Sequence, residues 1–175
     1  MINKNSGILR KTGDKGFTDL FSGEKISKAS LRLEALGNLD ELVAVLGVAR
    51  ANAAQEKIKR QISDIQKDLF IVGSELATNT KKLSSLPRRI DNPFLKNFER
   101  GVKSLFKNIT LPAGFIIPGD SPRTVYLHQA RTVARRLERS VVRLYNEKQI
   151  QNPNLLTFLN RLSVYLYLMA MPNKK

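Results

Sequence analysis

The amino-acid sequence predicts an all-α protein, a bundle of five helices in a single domain. Apolar residues recur at steps of three and four in several long segments, and no segment shows the alternation typical of a strand. Short stretches rich in Gly, Pro, Asn and Ser separate these segments. A chain of 175 residues is long enough for one domain with a substantial core. We therefore expect the helices to bury their apolar stripes against one another.

Residues 1–30 form a polar leader ahead of the helices, which we expect at 31–171 within a single domain of residues 1–175. The leader carries glycines among Lys, Asp, Ser and Thr residues, and these are Gly7, Gly13, Gly16 and Gly23. Glycine lets the backbone turn sharply and approach a ligand closely. We expect a loop that becomes ordered against a partner.

The first two helices follow from their apolar spacing. The first is predicted to run to about Ala54, although Gly37 and Gly47 lower its helical propensity. Its apolar positions are Leu33, Leu36, Leu39, Val43, Leu46 and Val48. The second alternates steps of four and three, which is typical of a helix packed against other helices. Its positions are Ile58, Ile62, Ile65, Leu69, Val72 and Leu76.

The third helix follows residues 79–90, which we interpret as a linker because they mix Asn, Ser, Pro and basic residues without a period. Asp91 is the predicted N-cap, and Pro93 falls in the first turn. The predicted core positions are Leu95, Phe98, Val102 and Leu105. A loop over residues 108–120 follows.

The fourth helix combines an apolar stripe with a dense set of arginines. Ser121 is its predicted cap, and Pro122 fits the first helical position. The apolar stripe is Leu127, Ala130, Val133, Ala134, Leu137, Val141 and Leu144. The polar positions fall into two rows, Arg131, Arg135 and Glu138 in one and Arg136, Arg139 and Arg143 in the other. Guanidinium groups match phosphate oxygens, so these rows favour a polyphosphate ligand, although a solvated basic face explains them equally well.

The last helix begins at Asn152 and Pro153. Its predicted buried positions are Leu155, Leu159, Leu162, Leu166 and Met169. Asn160 lies near this apolar face, and we expect it to be a buried polar group that needs partners.

The composition limits the classes of function. There is no cysteine, which excludes disulfides and thiolate metal sites, and His128 is the single histidine, which argues against a histidine metal site. We interpret His128 as a hydrogen-bonded packing residue. The chain lacks an apolar stretch that would span a membrane, and we expect a soluble, cytoplasmic protein. A formal charge of +15 attracts any polyanion.

Three separated motifs resemble one family. They are KTGDKGFTDLFSGEKISK near the N-terminus, FIIPG followed by LHQARTVARRLERSVV, and FLNRLSVYL near the C-terminus. In sequence, order and spacing they resemble the corresponding motifs of the PduO-type ATP:corrinoid adenosyltransferases. GNLDEL, which lies between the first two, is also similar to a motif of this family. The resemblance implies a five-helix bundle that assembles as a homotrimer with active sites between subunits.

The resemblance also implies the reaction. Such enzymes transfer the 5′-deoxyadenosyl group of ATP, bound with Mg²⁺, to the cobalt of cob(I)alamin, which forms adenosylcobalamin and releases triphosphate. Apart from the Mg²⁺ that accompanies ATP, the resemblance implies no metal ion, and none held by protein side chains. The implied partners are a corrinoid reductase and an adenosylcobalamin-dependent enzyme, with no membrane and no nucleic acid.

The residues implied by the resemblance fall into three groups. Those that match the nucleotide site are Arg10, Lys11, Thr12, Gly13, Gly16, Thr18, Lys28, Arg135, Arg136, Glu138, Arg139 and Asn160. Arg131 and Asp40 match two residues that form an ion pair between subunits. The resemblance implies that these two residues and Arg135 are the catalytic residues. Phe115 matches the aromatic residue that packs under the corrin, whereas by its apolar context alone it would be a core residue.

Departures from the family pattern keep two other functions open. Arg10 stands where Thr is usual, Asp120 follows the Pro-Gly turn, and Val164 replaces the acidic residue of Leu-Ser-Asp-Tyr. The chain also stops soon after the fifth helix. A family member that binds ATP or corrinoid as a sensor or carrier without turnover is the first alternative. A basic helical nucleic-acid-binding protein is the second, although no nucleic-acid motif is present.

Overall fold

The computed structural model describes residues 13–119 and 121–171. It contains five α-helices in this part of the chain, which confirms the predicted class. They are α1 (Leu31–Ala51), α2 (Glu56–Leu76), α3 (Asn92–Lys107), α4 (Pro122–Asn146) and α5 (Pro153–Ala170). A short 3-10 helix, Thr80–Ser85, lies in the predicted linker.

The leader differs from the predicted loop because it holds a small antiparallel hairpin. Strands β1 (Phe17–Asp19) and β2 (Lys25–Ser27) pair with Thr18 opposite Ile26. Gly23 closes the turn with a φ of 86°, a conformation that favours glycine. Strands of three residues are too short to show an alternation of apolar and polar residues, and they could not be recognised in the sequence for this reason.

Polar caps set where the helices begin. Asp91 accepts a hydrogen bond from the backbone N–H of Phe94 at 2.8 Å, and Ser121 accepts one from Thr124 at 3.3 Å, as predicted. Ser30 caps α1 in the same way through Leu33, so this helix begins before its first predicted apolar residue.

Helix α4 lies at the centre of the packing, in contact with both α1 and α5, while α2 packs on α1 and α3 packs on α5. Every predicted apolar position of α4 and α5 is buried. The prediction for α1 was less accurate, because Val48 is 43% exposed and Leu42 is fully buried. The ring of Phe158 on α5 meets those of Phe94 and Phe98 on α3.

Two buried charged side chains join the ends of these helices. Arg32 on α1 donates to the carbonyl oxygen of Leu76 at 2.6 Å and to that of Gln149 at 2.5 Å. Glu75 on α2 accepts from the backbone N–H of Ile90 at 2.6 Å and from the side-chain amide of Asn152 at 2.9 Å. These bonds connect α1, α2, the start of α5 and the connection before α3 at one end of the bundle.

Half-buried Asp68 on α2 provides a stability test, because burial raises the pKa of its carboxyl group from 3.8 to about 6. Ionised Asp68 therefore destabilises the fold at pH 7. We expect Asp68→Asn to raise the free energy of unfolding at pH 7 by about 1 to 3 kcal/mol. The gain should vanish as the pH falls through 6 toward 4, where folded Asp68 is protonated.

Urea unfolding of both proteins at the two pH values measures this effect. Glu56→Gln is the matched control and should show no gain at pH 7, since Glu56 is an exposed carboxylate of the same helix paired with Lys59. An Asp68→Asn gain that does not change with pH would contradict the assignment.

Candidate functional site

The packing of α4 gives it two edges with different neighbours. On the edge toward α1, Arg136 pairs with Glu41, and Arg143 lies 3.8 Å from Glu34. On the edge toward α5, the ring of His128 lies 6.3 Å from that of Tyr167. The arginines of α4 are therefore not equivalent.

Arg131 and Arg135 lie on the α5 edge, because they follow His128 by three and seven residues. Arg131 is half-buried and Arg135 is exposed. Neither takes part in an ion pair between described residues. Half-buried Glu138 shares this face, as predicted, and exposed Arg139 lies beside it. Two guanidinium groups that form no ion pair among the described residues make this edge suited to an anion with several oxygens.

Arg136 is separated from that group. The sequence placed Arg135 and Arg136 in one nucleotide site, whereas Arg136 forms its ion pair with Glu41 of α1. Arg143 belongs to the same edge. The sequence argument from the two polar rows of α4 alone therefore missed Glu34 and Glu41, which lie on another helix.

Asn160 lies on the neighbouring stretch of α5 and is exposed, which corrects the expectation that it is buried. Helices α4 and α5 pack on each other and are joined by only six residues, so they run antiparallel, and each rises 1.5 Å per residue. The His128–Tyr167 contact thus sets Asn160 within about one helical turn of Arg135, and Val164 within about one turn of Arg131. The amide of Asn160 is available to the same ligand as Arg135.

Two buried polar atoms on the α5 edge lack hydrogen-bond partners among the described residues. They are Nε of Arg131 and Nδ1 of His128. His128 is buried, as predicted for a packing residue. The predicted hydrogen bond is absent at Nδ1, which has no partner among the described residues. Burial lowers the pKa of His128, and the positive charge of Arg131 lowers it further. His128 is neutral at pH 7.

The leader forms a second group of the expected site residues. The backbone N–H of Gly16 donates to the carbonyl of Gly13 at 3.2 Å, and that of Lys28 donates to the carbonyl of Gly16 at 2.9 Å. The Nζ atom of Lys28 lies 2.9 Å from the place that a Cβ on residue 13 would occupy. Half-buried Thr18 lies in β1 of the same hairpin. Arg10, Lys11 and Thr12 lie outside the described residues.

The leader is attached at the end of the bundle where α4 ends. Ser22 accepts hydrogen bonds from the backbone of Asn79 and, through its carbonyl, from Lys82. Arg135 lies eleven residues before the end of α4, or about 16 Å along its axis. Within one chain, the leader and the arginine edge are therefore separate.

Asp40 is exposed on α1 and forms no ion pair within the described part of the chain. Its neighbour Glu41 belongs to the α1 edge of α4, whereas Arg131 belongs to the α5 edge. The Asp40–Arg131 pair between subunits stays a prediction.

Phe115 lies in the loop before α4 and is fully exposed, as is most of Ile117 at 85%. The alternative expectation that Phe115 is a core residue is therefore wrong for the single chain. Two adjacent apolar side chains on a loop surface suit a flat apolar ligand face. Asp120, in the same loop, lies outside the described residues.

Residues 13–119 and 121–171 lack two further features. None of their helices combines the length and apolar character needed to cross a membrane. The same residues contain no cluster of three or more His, Cys, Asp or Glu side chains arranged to hold a metal ion.

The fold and these features define a helical-bundle protein whose central helix carries Arg131 and Arg135 on its α5 edge. The chain belongs to the cobalamin adenosyltransferase family, whose sequence model matches residues 8–172. It is 36% identical to a corrinoid adenosyltransferase of Citrobacter freundii, over 93% of this chain and 92% of that protein. It is 37% identical to the corrinoid adenosyltransferase PduO of Salmonella typhimurium, of which it spans about half, 48%.

Solved structures agree with this assignment. One is a variant of a PduO-type ATP:corrinoid adenosyltransferase from Lactobacillus reuteri complexed with cobalamin and ATP. It has a TM-score of 0.83 and 30% identity, over 95% of this chain and 97% of that one. Another variant of that enzyme, complexed with ATP, has the same TM-score and identity over 95% and 98% of the two chains.

The two-edge arrangement of α4 makes a testable prediction for Arg136 and Glu41, which are both about half exposed. We expect Glu41→Gln and Arg136→Gln each to lower the free energy of unfolding by about 0.5 kcal/mol, and the double variant to lose no more than either single one. Urea unfolding at low salt measures the coupling, which about 0.5 M NaCl should reduce.

Arg139→Gln is the control, because exposed Arg139 has no ion pair within the described residues. Additive losses at low salt would show that Arg136 does not engage Glu41 in solution.

Proposed function

We propose that this protein transfers the 5′-deoxyadenosyl group of ATP to the cobalt of a reduced corrinoid, forming adenosylcobalamin and releasing triphosphate. Co(I) supplies the electron pair for the new Co–C5′ bond, and the C5′–O bond breaks with its electrons passing to the triphosphate. The protein supplies no nucleophile. Its work is to bind and orient the two substrates and to stabilise the leaving group.

The observation that carries this proposal is that Arg131 and Arg135 share the α5 edge of α4 without an ion pair among the described residues, in a chain of this family. Triphosphate gains negative charge at the oxygen released from C5′, so fixed cations at that point lower the barrier. Arg131 and Arg135 fit this task, and Asn160 offers an amide about one turn away. Glu138 and Arg139 complete the edge.

The leader of a second copy would close the site. Gly13, Gly16, Thr18 and Lys28 form one unit, but in a single chain this unit lies near the far end of α4. Arg10, Lys11 and Thr12 precede it directly. In a homotrimer, the leader of one subunit wraps the nucleotide held by α4 of the next, and Asp40 pairs with Arg131 across the same boundary.

The corrinoid would lie against the exposed loop before α4. Phe115 presents a fully exposed ring beside Ile117. An apolar surface under the corrin would displace the polar lower ligand of cobalt, which makes the reduction of Co(II) to Co(I) by the reductase easier. Arg136 remains a candidate for ATP only if its ion pair with Glu41 opens.

The proposal has consequences for ions and partners. Mg²⁺ would enter with ATP. A reductase must deliver cobalt as Co(I), and an adenosylcobalamin-dependent enzyme must consume the product. A cytoplasmic location, where ATP is available, is part of the proposal.

A binder without turnover is the second candidate, since Val164 offers Arg131 no carboxylate. It predicts ATP binding without a Co–C product. Anaerobic incubation with ATP, Mg²⁺ and chemically reduced cobalamin separates the two, because only transfer consumes the Co(I) absorbance and produces adenosylcobalamin.

In that assay, we expect Arg135→Ala to lower kcat/KM for ATP by about 100-fold or more, because it removes a cation from the leaving triphosphate. Arg143→Ala is the matched control, since Arg143 lies on the α1 edge near Glu34. It should change kcat/KM by less than about twofold. Equal losses for the two variants would refute the placement of the site on the α5 edge.

A further inference from the structure

The outer face of α3 carries a row of cations that the proposed function does not use. Four exposed side chains recur at steps of four, three and four residues, and they are Lys96, Arg100, Lys103 and Lys107. These steps place all four on one side of the helix, over a length of about 16 Å. The opposite side packs on α5, where the rings of Phe94 and Phe98 meet that of Phe158. We call the four cations the α3 row.

The charges of the α3 row are all of one sign. The single acidic residue of α3 is Glu99, which borders the row but lies 3.4 Å from Arg161 of α5. None of the four cations forms an ion pair among the described residues. Like charges three or four residues apart disfavour a helix, whereas a salt-bridged solvated face alternates its signs. The row therefore suits a partner that presents a row of negative charges.

Helix α5 lies between the α3 row and the site proposed on α4. Phe98 of α3 meets Tyr165 of α5, whereas His128 of α4 meets Tyr167. Tyr165 and Tyr167 are two residues apart, which puts them on opposite sides of α5. The contact proposed between copies, through Asp40 and the leader, does not use α3 either. The α3 row is therefore a separate surface.

We propose that the α3 row binds the phosphate backbone of a nucleic acid duplex, as a second function of this protein. Each strand of a duplex carries one phosphate per about 3.4 Å of axis, so about five phosphates match the length of the row. The apolar side of α3 is packed on α5 and is not available to a membrane. Contacts to phosphates do not read the bases, so binding should not depend on sequence.

This inference does not depend on the proposed function, because the α3 row is remote from the α5 edge of α4. It departs from the expectation that the protein has no nucleic-acid partner. It also gives a role to part of the formal charge of +15, which a single nucleotide site does not require.

The salt dependence of binding to a random-sequence DNA duplex of about 20 base pairs tests the proposal. With about four phosphate contacts, the logarithm of the association constant should fall against that of the salt concentration with a slope of about −3 to −4. Removing three cations of the row should reduce the magnitude of this slope by about three. This variant combines Lys96→Gln, Arg100→Gln and Lys103→Gln.

A matched control removes three cations that line a groove between α1 and α2. It combines Arg50→Gln, Lys59→Gln and Arg60→Gln, and it should change the slope by less than about one. Thermal unfolding reports on folding, and the loss of like charges should leave the midpoint of the α3 variant unchanged or raise it. If that variant does not fold, Lys103→Gln replaces it, with an expected change in slope of about one.

ATP separates the α3 row from the site on α4. At constant ionic strength, saturating ATP with Mg²⁺ should change the affinity for DNA by less than about twofold, because the two surfaces are independent. Arg135→Ala should likewise leave DNA binding unchanged. Displacement of the DNA by ATP would place it on α4 and would overturn the inference.

The remaining outcomes are equally decisive. A wild type that does not bind DNA at low salt overturns the inference, and so do equal slopes for the α3 and control variants. Binding to acidic phosphatidylserine vesicles in place of DNA would assign the row to a membrane surface instead. A wild type that binds DNA through the row but makes no adenosylcobalamin would refute the proposed function and leave this inference standing.

Discussion

The rotational setting of α4 between α1 and α5 is the constraint on which the rest of the structure depends. Its apolar stripe is buried against both neighbours, which fixes the direction of every polar side chain on the helix. Glu34 and Glu41 of α1 then neutralise Arg143 and Arg136. Arg131 and Arg135 remain on the other edge without an ion pair among the described residues. The α5 edge is therefore the part of this basic helix that we propose binds the triphosphate.

The ends of the bundle carry a different kind of constraint. Arg32 and Glu75 are buried charges, and each satisfies backbone groups that would otherwise lack partners. Arg32 holds the ends of α2 and α4 together, close to where the leader hairpin is attached. The leader therefore has a defined position relative to its own bundle, and that position is distant from its own arginine edge. The site that we propose between two copies would account for both facts.

Local signals in the sequence predicted the helices well, because a cap such as Asp91 or Ser121 and an apolar stripe depend on residues within a few turns. The division of the arginines between the two edges of α4 could not be predicted. Glu41 is 95 positions from Arg136 in the sequence, and only the packing of α1 on α4 brings them together. The exposure of Asn160 was missed for the same reason.

The most direct test of the account is a crystal structure of the protein with ATP and Mg²⁺. The account predicts triphosphate oxygens within hydrogen-bond distance of Arg131 and Arg135, with Asn160 beside the nucleotide and Lys28 supplied by a second copy. Triphosphate bound along Arg136 and Arg143, with the arginines of the α5 edge facing solvent, would contradict it.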